Sequence, residues 1–186
     1  MQGKVHVFIG VASLAAFCAA FPKGFEFANT TVLPEIGLVT AAFGSYLPDI
    51  DMQRTHMGQK HKVASTVVSK LGGGHRGITH TLLFPALLTL LGWAIGVYLP
   101  VYAASVPFLE YVIMFLMSIL FGVEFGYVMH IFADLFNGKG CPLLWPISPT
   151  KIHILDLPSS GAGAWIFGVI LVGIEWAFVL HLGGLF

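Results

Sequence analysis

Seven side chains of types that hold metal ions stand out by their setting in this sequence: His6, Asp49, Asp51, His75, His80, His130 and Asp134. His130 and Asp134 are four residues apart, so a helix carries both on one face, where they can grip one ion. Asp49 and Asp51 lie in the run Leu47-Pro48-Asp49-Ile50-Asp51. The proline stops a helix, and the chain beyond it can turn two carboxylates toward a common point. His75 and His80 bracket the run His75-Arg76-Gly77-Ile78-Thr79-His80. A separation of five is a poor same-face spacing, which puts His75 in a loop and His80 in the first turn of the next helix. Imidazole nitrogens mixed with carboxylate oxygens suit Zn²⁺, with Mn²⁺ or Fe²⁺ as alternatives, and exclude a thiolate-rich zinc site. Seven donors exceed the four of one tetrahedral ion, so a pair of ions fits.

The elements that position these residues are set by composition. The 186 residues are 56% hydrophobic and 10% charged, against roughly 25% charged in soluble domains. Mean hydropathy is +0.85. A soluble fold of this size cannot hide so much apolar surface, so lipid is the solvent for most of the chain. Zero net charge gives no sign of a nucleic-acid partner. The two cysteines, Cys18 and Cys141, lie far apart and read as unpaired thiols.

The expected fold is an all-α, polytopic transmembrane bundle of about five spans with no sheet, forming one helical membrane domain over residues 1–186. The spans are residues 5–21, 32–47, 78–99 (closed by Pro100), 108–136 and 162–182. The first, preceded by Lys4, resembles a signal peptide but is long enough to be retained as a helix. The intervening loops 49–77 and 137–161 are rich in Gly or Pro, and residues 63–71 form a short helix lying in the interface. Five spans place Lys4, Arg54, Lys60, Lys62, Lys70, Arg76, Lys139 and Lys151 on one side, and Lys23 alone on the other. The positive-inside rule makes the first side cytoplasmic, in an integral plasma (inner) membrane protein.

All seven of these residues then fall at or next to the cytoplasmic ends of the first four spans. The charge count that sets the orientation uses neither His nor Asp, so this convergence is independent of it. An Asp at the centre of a span costs ~2.5–3.5 kcal/mol, less near the ends, and a divalent ion offsets that cost. Plainer readings exist for each residue taken singly. His6 serves as an interfacial residue, Asp49 and Asp51 as a solvated helix end, and His130 with Asp134 as a hydrogen-bonded lock between helices. For His56, His61 and His153, all in cytoplasmic loops, the plain reading is preferred. Glu35, Glu110, Glu124 and Glu175 pair between helices or line a cavity.

The Leu-Pro-Asp-Ile-Asp run, the segment from His75 to Thr81, and His130 with Asp134 together resemble the YdjM-like family of membrane-bound metal-dependent hydrolases. His6 and the segment Gly140-Cys141-Pro142-Leu143-Leu144-Trp145-Pro146 share the likeness, which extends over residues 6–149. The family pattern has Ser after its second His; Thr81 stands there in this chain and keeps the hydroxyl. The resemblance implies a hydrolase without specifying a substrate. A looser analogy links His130 and Asp134 to the His-x-x-x-Asp element of zinc-dependent phospholipases C. Their later His-x-x-x-Glu pair has no counterpart here.

The expected activity is hydrolysis of a phosphoester in a lipid or lipid-linked substrate at the cytoplasmic face. A divalent ion lowers the pKa of water to about 7 and so supplies hydroxide at neutral pH. His6, Asp49, Asp51, His80, His130 and Asp134 are the ligands, and Asp51 also stands among the catalytic candidates. His75 is a ligand or the acid for the leaving group, Arg76 holds an anionic phosphate, and Thr79 orients a neighbour. The rival readings are a metal-ion or proton transporter using the same cluster, and a haem protein ligated by His80 and His130. A transporter should bind near the midplane between repeated halves, and no repeat is visible. Aspartates fit haem ligation poorly. The sequence does not specify an oligomeric state.

Overall fold

The computed structural model describes residues 3–52, 55–71, 77–103 and 105–182. Four helices are long and apolar enough to cross a membrane: α1 (Gly3–Ala20), α5 (Leu83–Ala103), α6 (Pro107–Asp134) and α7 (Gly161–Leu182). Between α1 and α5 lie the strands β1 (Phe25–Phe27) and β2 (Thr30–Val32), then α2 (Leu38–Gly44), α3 (His56–Lys60) and α4 (Lys62–Leu71). Two short 3-10 turns, Leu47–Asp51 and Ile78–His80, complete the path. Apolar residues surround each long helix, as expected where lipid and other helices share the surface. No disulfide joins Cys18 and Cys141.

The segment read as a second span is not one regular helix. Residues 30–32 are a strand, Pro34 to Gly37 turn, and the helix proper is only the seven residues of α2. It still makes a passage through the bundle alongside α6. Leu33 N–H donates to Ser118 Oγ, Thr40 Oγ1 to the Ile119 carbonyl and Ser45 Oγ to the Gly126 carbonyl, in step along both segments. Small residues allow the approach: a Cβ on Gly122 would lie 2.2 Å from the Gly37 carbonyl oxygen, and one on Gly126 would lie 2.1 Å from that of Ala41. Such small-residue crossings are how membrane helices bring backbones together. About five crossings therefore describe the chain, four by long helices and one by this broken passage.

The expectation of no sheet is corrected by one antiparallel hairpin, β1 with β2, pairing Phe25 with Val32 and Phe27 with Thr30. Ala28 and Asn29 at its tip both have positive φ, 48° and 62°, the pattern of a tight two-residue hairpin turn. Each strand is three residues long, too short for its alternation to show in a sequence of this hydropathy. The hairpin packs on α5 and α6, where Val32, Ile113 and Met117 form one buried cluster. A second cluster, Val5, Ile9, Ala133 and Ala164, joins α1, α6 and α7 at the opposite end.

Two further boundaries differ from expectation. Helix α5 runs through Pro100 to Ala103; the proline offers no N–H to the Gly96 carbonyl, a loss that membrane helices tolerate, and only three residues of helix follow it. The second is Pro48, which does not end α2. That helix closes at Gly44, and Pro48 occupies the first positions of the next turn, Leu47–Asp51, where a missing N–H is tolerated. The short interfacial helix expected at 63–71 is present as α4, with Val63 and Val67 exposed.

Candidate metal centre

Four separate pieces of backbone deliver donors to one end of the bundle. His6 lies in the first turns of α1. Asp49 and Asp51 come from the 3-10 turn Leu47–Asp51, His80 from the turn Ile78–His80, and His130 and Asp134 from the last turns of α6. All six are buried, the three histidines completely. The His80 turn is held by the His80 N–H to the Gly77 carbonyl at 3.0 Å and by Thr81 Oγ1 to the Ile78 carbonyl at 2.8 Å. Thr81 Oγ1 also accepts from the Leu83 N–H and so caps the start of α5, which gives that hydroxyl a structural use. Leu82 N–H donates to the Leu143 carbonyl, tying the segment around Cys141 and Pro142 to the same turn.

Asp134 is the hub. Its carboxylate oxygens lie 3.4 Å from His6 Nε2, 3.6 Å from His80 Nε2 and 3.8 Å from His130 Nε2. Asp49 Oδ1 approaches His130 Nε2 at 3.9 Å. The rings of His6 and His130 stack, with centroids 3.7 Å apart and planes 15° from parallel. Two sets of ligand atoms lie within 4.8 Å of one another: His6, His130 and Asp134; and Asp49, His80 and His130.

Asp51 belongs to neither set. Its Oδ2 lies 3.5 Å from His80 Nδ1 and accepts a 2.7 Å hydrogen bond from Thr79 Oγ1. This places the carboxylate behind His80, on the ring nitrogen away from Asp134. Tyr127 Oη donates in turn to the Thr79 carbonyl. His130 is fixed in the same manner: its Nδ1 is 2.7 Å from the Ser45 carbonyl, which can only accept, so Nδ1 carries the proton. The Nε2 lone pair then faces two carboxylates.

A cation would satisfy that arrangement. Among the described residues, both ring nitrogens of His6 and Nε2 of His130 are buried with no hydrogen-bond partner, a costly state for polar atoms. Ligands ~2.1 Å from a tetrahedral ion sit ~3.4 Å from each other, close to the nitrogen–oxygen separations of 3.4–3.9 Å found here. Burial pushes the Asp49 carboxyl above the ordinary carboxylate range, partly offset by His6 and His80. The residues present therefore fit a divalent ion of the zinc class.

The structure thus brings together His6, Asp49, Asp51, His80, His130 and Asp134, with Thr79 beside them. His75 and Arg76 lie outside the described residues. His61 and His153 are exposed and belong to neither ligand set. Of the glutamates, Glu124 accepts from Thr89 between α5 and α6, while Glu110 and Glu175 line cavities elsewhere. Sequence reasoning missed Tyr127 and Ser45. Tyr127 stands three residues before His130, a same-face spacing that could have been noticed. Ser45 supports the site with a backbone carbonyl, which no side-chain pattern reveals.

The whole chain, residues 1–185, matches the family described as YdjM inner membrane protein. The chain belongs to this family. Among its relatives, the Uncharacterized protein YvsG of Bacillus subtilis (strain 168) is 30% identical over 189 residues, covering 100% of both chains. The Inner membrane protein YdjM of Escherichia coli (strain K12) is 31% identical over 157 residues, covering 78% of this chain and 66% of that protein. Its counterpart in Shigella flexneri shows the same figures. No solved structure matches this chain. Family membership and four membrane-length apolar helices make this a multi-pass integral membrane protein.

Proposed function

We propose that this YdjM-family protein is a membrane-embedded, metal-dependent hydrolase that cleaves a phosphoester of a lipid or lipid-linked substrate at the cytoplasmic face. The observation that carries the reading is the buried cluster itself: three imidazoles and three carboxylates gathered at one end of a lipid-solvated bundle. His6, His80, His130, Asp49 and Asp134 are the residues that would hold the metal, zinc above manganese or iron, as one ion or two. Asp51, backed by Thr79, orients His80. When bound, a divalent ion polarises the phosphoryl group and makes water nucleophilic at neutral pH. The burial of the ligands keeps bulk water from competing for them. The cluster sits at one end of the bundle, as suits a headgroup substrate better than ion transport across the midplane.

The test is elemental analysis of the purified protein beside Asp134→Ala and Asp49→Ala, followed by a screen of phospholipid phosphoesters. Stoichiometric metal in the wild type, lost in folded variants, together with turnover that the chelated protein lacks, is the expected result. A wild type that takes up neither zinc, manganese nor iron sinks the proposal and leaves a polar helix-packing network.

A further inference from the structure

Beside the metal cluster lies a second feature that the hydrolytic reading does not use. A cavity of about 350 Å³ is walled by Leu47, Ile50, Val68, Leu83, Phe84 and Leu87. Its surface is almost wholly hydrocarbon, and its size is in the range of ligand pockets, ~300–1,000 Å³. It adjoins the cluster directly. Ile50 separates Asp49 from Asp51 in the chain. Thr79 lines the cavity while its hydroxyl donates to Asp51, and Tyr127 lines it while its hydroxyl donates to the Thr79 carbonyl. The outer wall is α5, whose Leu83 and Leu87 are exposed on a membrane-spanning helix, so the medium on that side is lipid. Helix α4 contributes Val68 to the lining. Helices α3 and α4 bear exposed Lys60, Lys62 and Lys70 and no acidic residue.

We propose that this cavity seats one acyl chain of an anionic phospholipid, placing its headgroup between the lysines of α3 and α4 and the His/Asp cluster. The inference deepens the hydrolase reading and rests on it for the fate of the headgroup. Water in such a cavity finds few partners, whereas a hydrocarbon chain entering from the bilayer fills it at little cost. Exposed lysines near a membrane surface draw anionic headgroups. Chain and charge together select a lipid by its class, and the Thr79 contact sets how far the chain lies from Asp51.

Photolabelling of the full-length protein tests this. The protein is held in phosphatidylcholine nanodiscs with a trace of phosphatidylglycerol bearing a diazirine midway along one acyl chain, and crosslinked residues are mapped by mass spectrometry. Labels should concentrate on Ile50, Val68 and Leu83 above the level on Ile166 and Ile170, which face lipid on α7. Excess unlabelled phosphatidylglycerol should remove them. Val68→Trp, which fills the cavity, should lower them about tenfold, the effect of displacing roughly two methylenes. Val68→Ala should keep them, and both variants should retain the wild-type metal content as proof of folding. Leu87→Trp serves if Val68→Trp does not fold. Labels on Ile50 and Val68 no stronger than on α7, in folded wild type, overturn the proposal; competition by added phosphatidylcholine as effective as by phosphatidylglycerol overturns the anionic assignment. The assay reads no turnover. A protein labelled in the cavity but inert in the phosphoester screen loses the hydrolase reading and keeps the seat. One that hydrolyses esters without regard to chain length, and is not labelled there, does the reverse.

Discussion

Asp134 touches three histidines from three different elements, so its carboxylate organises the centre more than any other group. The residues behind the ligands decide how well the arrangement is held. His130 is locked by a backbone carbonyl, which substitution cannot remove without moving the chain. His80 is locked by Asp51, and Asp51 by the Thr79 hydroxyl at 2.7 Å. That last link can be cut singly. Partners of this kind are worth ~10–100-fold in metal affinity. Thr79→Val is therefore expected to weaken zinc binding within that range while leaving the fold intact, and Thr79→Ser to restore it. Competition against a chromophoric chelator reads the affinity, and an unchanged value for Thr79→Val would show that Asp51 needs no orienting bond. The six clustered His and Asp residues are legible in the sequence because their chemistry is costly in lipid and they fall at the ends of apolar runs. Tyr127 carries only one signal, its three-residue spacing from His130, and that is easily lost in a helix full of aromatics.

Elements position these ligands through close backbone contact. The broken second passage brings Asp49 and Asp51 to the ends of α1 and α6 only because Gly37, Ala41 and Ser45 run against Gly122 and Gly126. Gly126→Ala should therefore displace α2 from α6, since its Cβ would lie 2.1 Å from the Ala41 carbonyl oxygen, and metal retention should fall together with thermal stability. Gly173→Ala in α7 is the control, because a Cβ there meets nothing within 4 Å. Helix propensity favours Ala by ~0.5–1 kcal/mol, so thermal denaturation should find that variant as stable as wild type or more so. Equal behaviour of the two variants would remove the crossing from the account. The reach of sequence reasoning is visible at this scale. Long apolar runs announced α1, α5, α6 and α7. Hydropathy marks 32–47 as a crossing but does not distinguish a regular helix from turns and a strand packed on a glycine-lined neighbour. The hairpin at its entrance was missed because its residues are tuned to aromatic packing against α1 and α6, seen in Phe25 against Phe17 and Phe121, contacts that depend on the assembled bundle.

Across the whole molecule, the His/Asp cluster and most of the positive charge share one end. The helix termini bearing His6 and Asp134 share that end with exposed Lys4, Lys60, Lys62, Lys70, Lys139 and Lys151, whereas Lys23 lies exposed at the other, between α1 and the hairpin. The positive-inside rule would place the proposed centre at the inner leaflet. An odd number of crossings also makes α1 and α7 run parallel, as they do: Phe8 meets Trp165 near one end and Ala20 lines a cavity with Leu182 near the other. The orientation is measurable with single cysteines placed at Lys60 and Lys23 in a chain whose own two cysteines are replaced. A membrane-impermeant maleimide should label Lys23→Cys in intact spheroplasts and Lys60→Cys only after permeabilisation. The reverse pattern would put the cluster on the outer face, where the lysines of α3 and α4 would meet the outer leaflet, and the inner-leaflet substrate would have to be abandoned. Labelling of both sites in intact cells would break the five-crossing path itself, since Lys23 and Lys60 are separated by the single passage through α2.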